Sequence, residues 1–144
     1  MKLPLAIEFG KALSQFYWSF QNHMNRLLQQ YDLTVEHARI LMIISMNEGC
    51  SQQFIADQTK KTKPAITTLL DNMTSRNLIV RVPDQNDRRV NMLYLTELGK
   101  NLQVTIQDVI NAEVRTLLHG ISDDDLTEMV QRFNDLTQRL LEKV

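Results

Sequence analysis

The residues best suited to bind a charged ligand are two adjacent arginines, Arg88 and Arg89, at the end of a turn-forming and charged segment that begins at Pro83. Apolar, β-prone runs flank this segment at residues 78–82 and 90–95. This arrangement predicts a β-hairpin with a projecting tip. Because guanidinium groups match phosphate oxygens in shape and charge, arginines on a narrow tip could grip a DNA backbone or enter a minor groove. A charged tip that is merely solvated is the alternative interpretation.

A helix predicted to begin after Thr62 offers a second polar surface. Pro64 lies in its first turn, where the missing N–H costs nothing. One apolar stripe should be buried: Ile66, Leu69, Leu70 and Met73. The opposite face carries mostly short or hydroxyl-bearing side chains: Lys63, Ala65, Thr67, Thr68, Asp71 and Asn72. A face of this kind fits a DNA major groove, whereas a merely solvated helix face usually carries Glu and Lys pairs.

The pattern upstream supplies a scaffold for both surfaces. Apolar residues recur at helical spacing over residues 5–31, and further helices are predicted over 35–47 and from Ser51 to a turn at 58–61. Each predicted helix after the first follows a side chain suited to an N-cap or to helix initiation: Thr34, Ser51, Thr62, Thr96 and Ser122. A helix–turn–helix followed by a hairpin is the pattern of a winged helix, which reads DNA.

The fold class is therefore mainly α with a small β-hairpin wing. We interpret residues 1–144 as a single domain, with a winged-helix DNA-binding lobe at 34–98 and dimerisation helices at 5–31 and 100–144. The apolar stripes of the terminal helices exceed what the core of one small lobe can cover. They predict a two-fold homodimer whose recognition helices meet major grooves about 34 Å apart, on a near-palindromic operator.

The net charge of −1 is distributed unevenly along the chain. Residues 54–89 hold seven Lys and Arg against four Asp and Glu, whereas residues 120–144 hold three against six. The cationic excess therefore coincides with the predicted DNA-binding segment. Cys50 is the single cysteine, so no intrachain disulfide can form, and no apolar run approaches a membrane span. We expect a cytoplasmic protein that has no membrane partner.

Three segments, taken together and in order, resemble the MarR (multiple-antibiotic-resistance regulator) family of bacterial winged-helix transcription factors. They are Leu33-Thr34, then Thr62-Lys-Pro-Ala-Ile-Thr67 followed by Leu69, and then Asp84-x-x-Asp87-Arg88-Arg89 with Leu95-Thr96-x-x-Gly99. The resemblance covers nearly the whole chain. It implies a homodimer on double-stranded DNA, most simply a ligand-responsive repressor, although an activator would look the same at the level of the protein.

The resemblance also implies roles for individual residues. Those that would face bases or phosphates in the major groove are Thr62, Lys63, Ala65, Thr67 and Thr68. Arg89 would enter the minor groove, oriented by Asp87, and Arg88 would contact phosphate. The chain departs from the family pattern at Thr68 and Asn72, where many members carry arginine. Fewer cations there should weaken the salt-dependent share of binding.

A small anionic aromatic effector is the further partner that the resemblance implies. Four aromatic residues of the first helix region could line its pocket: Tyr17, Trp18, Phe20 and Tyr31. Arg39 could neutralise a carboxylate of the effector. Aromatic residues at helical spacing also suit a dimer core, which is the alternative.

Other chemistries find less support. Cys50 has no neighbouring cation in sequence to activate its thiol, so a structural role is favoured over redox sensing. His37, next to Glu36, and His119 lack the paired spacing of a zinc site. No phosphate-binding glycine loop or nucleophile–base pair predicts an enzyme, and no cofactor or metal is implied. A winged helix used only for protein contacts remains the rival interpretation.

Overall fold

The structure is a computed structural model that describes residues 3–143. Its helices are α1 (Leu3–Leu28), α2 (Val35–Met46), α3 (Gln52–Thr59), α4 (Lys63–Ser75), α5 (Glu97–Leu117) and α6 (Asp123–Leu141), with a 3-10 turn at Gln29–Tyr31. Its strands are β1 (Cys50–Ser51), β2 (Ile79–Pro83) and β3 (Asn91–Leu95). The chain divides into two compact units, with the boundary between Val109 and Ile110.

Hydroxyl side chains start the helices where the sequence predicts. The Oγ atom of Ser51 accepts a hydrogen bond from the Phe54 N–H, and Thr62 Oγ1 accepts from the Ala65 N–H, at 3.1 and 3.4 Å. Ser122 caps α6 in the same way. Each bond satisfies a donor that the first helical turn leaves without a partner. The predicted starts of these three helices therefore agree with the structure, whereas the first helix, predicted over 5–31, ends as an α-helix at Leu28.

The core of the first unit lies among α2, α3, α4 and the sheet. Its fully buried large side chains come from every one of these elements and from the end of α1: Leu28, Ile40, Leu41, Ile44, Ile55, Ile66, Leu70, Met73, Ile79 and Leu93. Burying each such side chain stabilises the fold by roughly 1.5–3 kcal/mol relative to exposure. This core holds α4 with its apolar stripe inward.

The sheet is antiparallel with strand order β1-β3-β2, so the predicted two-stranded hairpin gains a third strand. Ile79 pairs with Leu95 across β2 and β3, and Cys50 pairs with Leu93 across β1 and β3. The two-residue strand β1 was not predicted because a segment this short shows no alternation of apolar and polar residues. It ties the start of α3 to the wing.

The junction between α4, the sheet and α5 depends on two close backbone approaches. Asn77 adopts a left-handed conformation with φ +57°, and its carbonyl accepts a hydrogen bond from Thr96 Oγ1 at 2.6 Å. A Cβ atom on Gly99 would lie 2.0 Å from the Leu78 carbonyl oxygen. Only glycine therefore lets the first turn of α5 pack against the segment that joins α4 to β2.

The second unit contains the end of α5 and the helix α6. Gly120, with φ +89°, lies in the turn between α5 and α6. None of the described residues of α6 is buried, and its apolar stripe is exposed: Met129, Val130, Phe133, Leu136, Leu140 and Leu141. Within residues 3–143, no helix combines the length and the apolar character that crossing a membrane requires.

Candidate DNA interface

The outward face of α4 consists of small and polar side chains in contact with solvent. Ile66, Leu70 and Met73 of the same helix are fully buried, so the helix cannot rotate without exposing them. The five predicted major-groove residues are all exposed: Thr62, Lys63, Ala65, Thr67 and Thr68. Packing thus fixes which side of α4 is available to a partner.

The threonine hydroxyls on this face are already oriented. Thr67 Oγ1 donates to the Lys63 carbonyl at 2.9 Å, and Thr68 Oγ1 donates to the Pro64 carbonyl at 3.1 Å. A hydroxyl has one proton and two lone pairs. Since each proton is used within the helix, both threonines present hydrogen-bond acceptors and methyl groups to a partner rather than donors.

Asp84 shapes the tip of the wing. Its Oδ2 atom accepts hydrogen bonds from the Asn86 and Asp87 N–H groups, at 3.2 and 3.1 Å. Backbone bonds from Asp84 N to Val90 O and from Val90 N to Asp87 O close the turn. The tip is therefore a defined turn and not a loose loop.

Arg89 lies on this tip with its side chain 92% exposed. Asp87 Oδ1 accepts from both the Arg89 N–H and the Arg89 Nε, at 3.0 and 3.2 Å. The bond to Nε leaves the outer nitrogens of the guanidinium available to a partner. Arg88, the neighbouring cation, is exposed as well.

An ion pair between Arg81 and Asp71 connects the wing to α4. Arg81 Nη1 of β2 lies 2.7 Å from Asp71 Oδ1 of α4. Asp71 and Asn72 both lie on the exposed face of α4 as expected, but the carboxylate of Asp71 is already paired with Arg81 of its own chain.

Several cations of the basic segment are also engaged within the chain. Lys61 Nζ lies 3.5 Å from Glu36 Oε2. Arg76 donates to the carbonyl oxygens of Asp32 and Tyr31, at 2.6 and 3.0 Å. The charge count of this segment consequently overstates the number of cations that are free to meet a phosphate.

Gln52, the first residue of α3, is a part of this surface that the sequence analysis missed. Its Nε2 atom donates to Thr67 Oγ1 at 2.6 Å. A polar residue at the first position of the helix before α4 is the signal that could have indicated it. Two consecutive glutamines occur there, and the sequence does not say which of them turns toward α4.

The residues proposed for an effector pocket are not brought together. Trp18 lines an open groove of about 660 Å³ with Asn22, Arg26 and others, whereas Tyr17, Tyr31 and Arg39 are not among its lining residues. Arg39 Nη2 donates to the Gln58 carbonyl at the end of α3, 3.2 Å away. Its guanidinium thus helps to hold the helix–turn–helix, a long-range contact that local sequence could not reveal.

His37 caps α2 rather than binding metal. Its Nδ1 atom accepts from the Thr34 N–H at 3.2 Å, which completes a reciprocal cap with the Thr34 hydroxyl. Burial, aided by the nearby Arg76 guanidinium, lowers the pKa of His37. Burial likewise raises the pKa of the Cys50 thiol, which disfavours the reactive thiolate. Across residues 3–143 no cluster of His, Cys, Asp and Glu could hold a metal ion.

A family model described as the MarR family matches residues 31–90, the segment that contains the helix–turn–helix and the wing. The transcriptional repressor IacR of Pseudomonas putida is 29% identical over an alignment that covers 98% of this chain and 83% of that protein. The helix–turn–helix and the wing of this chain are thus similar to those of the MarR family. Regulators of this family are non-enzymatic DNA-binding proteins.

Two further relatives agree with this similarity. The transcriptional regulator MhqR of Bacillus subtilis is 27% identical, and the alignment covers 84% of this chain and 86% of that protein. The crystal structure of Staphylococcus aureus MepR bound to DNA has a TM-score of 0.84 at 22% identity, with 92% of this chain and 97% of that chain covered. This likeness shows that the fold is the winged helix of MarR regulators.

Proposed function

We propose that this protein is a homodimeric, ligand-responsive transcriptional repressor that binds a near-palindromic operator in the bacterial cytoplasm. One observation carries the DNA-binding part: a hydroxyl-rich helix face and an arginine-tipped wing belong to one lobe, joined by the Arg81–Asp71 ion pair. The polar face of α4 would enter a major groove through Thr62, Lys63, Ala65, Thr67 and Thr68.

In this proposal the wing contacts DNA beside the recognition helix. Arg89 enters the minor groove with Asp87 holding its Nε, and Arg88 contacts a phosphate. The guanidinium forks suit both tasks because they carry charge and several donors in a plane. The exposed tip supports these roles.

Exposed apolar surface supports the dimer. In the first unit, α1 exposes large apolar side chains, among them Phe9, Phe16 and Trp18. In the second unit, the whole stripe of α6 is exposed. Such surface is unusual on a monomer, and a second copy of the chain would cover it. We therefore assign residues 5–31 and 100–144 to dimerisation and residues 34–98 to DNA.

Repression follows from the position of a bound dimer over a promoter, and IacR is named as a repressor. A selection of duplexes from a genomic pool tests the function. We expect the protein to retain near-palindromic fragments and to bind them at least about a thousandfold more tightly than random DNA at physiological salt. A winged helix used only for protein contacts would instead bind weakly and without regard to sequence, which would contradict the proposal.

An anionic aromatic effector would release the operator by favouring a dimer whose recognition helices no longer match successive grooves. Trp18 is the single tryptophan, and it shares its groove with Arg26. Titration with an aromatic carboxylate such as benzoate should therefore change the tryptophan fluorescence and weaken operator binding together. A fluorescence change that leaves operator affinity unaltered would argue against ligand-responsive repression.

A further inference from the structure

The side chain of Gln52 bridges the two helices of the helix–turn–helix on the side where α4 is exposed. Gln52 opens α3, and its Nε2 atom lies 2.6 Å from Thr67 Oγ1 of α4. Thr67 is exposed and Gln52 is half-buried. The amide is therefore held at the same surface as the predicted major-groove residues.

The hydrogen bonds of Thr67 fix the orientation of this amide. The single hydroxyl proton of Thr67 is donated to the Lys63 carbonyl, so its oxygen can only accept from a neighbour. The Gln52 atom that faces it must accordingly be the amide nitrogen. Gln52 keeps its second N–H and both lone pairs of Oε1, and Thr67 keeps one lone pair.

The adjacent residue Gln53 provides an internal comparison. Its Nε2 atom donates to Asp57 Oδ1, one turn further along the same helix, at 2.8 Å. Gln53 is exposed but engaged with α3 itself. Of the two consecutive glutamines, Gln52 is the one directed at α4.

The groups that remain free on Gln52 match one base. Adenine presents an N6 amino donor beside an N7 acceptor in the major groove, and a glutamine amide can meet both at once. Thr67 positions the amide rather than contacting the amino group itself, because the second amino hydrogen of adenine is paired with thymine in the duplex. Because the Gln52–Thr67 bond already restricts the glutamine rotamer in the free protein, less conformational freedom is lost on binding.

We propose that Gln52 is a further base-reading residue, and that Gln52 and Thr67 act as a pair that selects adenine at one position of each half-site. The proposal rests on the proposed operator-binding function. It adds α3 to the specificity-determining surface, which otherwise consists of α4 and the wing.

Selection from a random duplex pool, followed by binding titrations, tests the pair. Wild type is compared with Gln52→Ala, Thr67→Val, the double variant and the matched control Gln53→Ala. We expect wild type and Gln53→Ala to select the same motif, with one adenine favoured about ten- to a hundredfold in each half-site. Gln52→Ala and Thr67→Val should lose that preference at the same position, the double variant should lose no more than either, and Thr67→Ser should retain it.

The other outcomes are equally informative. If wild type selects a motif and Gln52→Ala selects it unchanged, the pair does not read a base and the inference fails, while the operator-binding function stands. A uniform loss of affinity for all sequences in Gln52→Ala would assign Gln52 to the phosphate backbone and would also overturn it. If wild type selects no motif, the proposed function and this inference fail together. Equal thermal midpoints for the variants would exclude misfolding as the cause.

Discussion

The proposed recognition helix α4 and the final helix α6 are both amphipathic, but only α4 has its apolar face buried within the described residues. In α4, Ile66, Leu70 and Met73 are fully buried and the polar face meets solvent. In α6 no described residue is buried, and Phe133 and Leu140 are 43% and 67% exposed. A helix whose apolar stripe is covered by its own chain offers its polar face to a polar partner. A helix whose stripe remains uncovered offers that stripe to another protein surface.

The largest expected effect comes from placing a charge in the uncovered stripe. Phe133→Glu should convert the dimer, with twice the chain mass of 16.8 kDa, into a monomer in light scattering at micromolar concentration. Because a dimer binds two linked half-sites, operator affinity should fall by about a hundredfold or more.

Gln131→Glu is the matched control for this change. It adds the same charge to the same helix at an exposed polar position, and it should leave both mass and affinity unchanged. A Phe133→Glu protein that is still dimeric would show that the stripe of α6 is not the dimer surface.

Removing the arginine at the wing tip should have the next largest effect. Arg89→Ala should cost about 1–3 kcal/mol of operator affinity in a mobility-shift titration, because it removes a cation and its hydrogen bonds from the minor groove. Gln85→Ala, a neutral change on the same exposed tip, is the control. Equal affinities for wild type and Arg89→Ala would refute the wing assignment.

Removing the ion pair between the wing and α4 should change operator affinity less than removing Arg89. Arg81→Ala should lower the free energy of unfolding by about 1 kcal/mol or less, since Asp71 is partly exposed to solvent. It should also reduce operator affinity, because the wing is then less well fixed relative to the recognition helix.

A charge-swapped protein that combines Asp71→Arg with Arg81→Asp tests whether the pair positions the wing relative to α4, or whether affinity falls only because a positive charge is lost. It should recover part of the affinity that Arg81→Ala loses. If the swapped protein binds no better than Arg81→Ala, the pair does not position the wing.

The local features of the fold could be predicted from sequence. The caps at Ser51 and Thr62, and the left-handed Asn77, depend on a few neighbouring residues whose chemistry is legible in the chain. The amphipathic stripes follow from periodicity alone. The exposed polar face of α4 followed from the same periodicity.

Features that join distant residues could not be predicted. The Arg81–Asp71 pair, the Gln52–Thr67 bond and the contact of Arg39 with the Gln58 carbonyl all depend on how elements pack. Each of these residues is polar, and sequence alone assigns a polar side chain equally to solvent, to a ligand or to its own chain. This is why the contacts that Asp71 and Arg39 make within the chain were not predicted.

The smallest expected effect is a pH dependence of stability from His37. Its pKa is lowered in the fold by burial and by the Arg76 guanidinium, so the unfolded chain binds the proton more readily. The stabilisation is therefore present above the ordinary histidine pKa, and it is lost as the pH falls through the lowered folded value. Protonation would also place a hydrogen on Nδ1, where the Thr34 N–H now donates.

His37→Gln should flatten this dependence in denaturant titrations between pH 7 and pH 5, because a glutamine can cap α2 without titrating. His119→Gln, at an exposed histidine after α5, is the matched control. An unchanged slope in His37→Gln would mean that other groups govern the acid sensitivity.

Chemical footprinting of a selected operator tests most directly whether the polar face of α4 contacts DNA while the apolar stripe of α6 holds two copies of the chain together. We predict two protected major-groove segments on one face of the duplex, with centres about one helical turn, or 34 Å, apart. Protected minor-groove positions should lie beside each segment, where the wings reach. A single protected segment, or protection spread evenly over any sequence, would contradict a dimer that presents two copies of α4 to successive grooves.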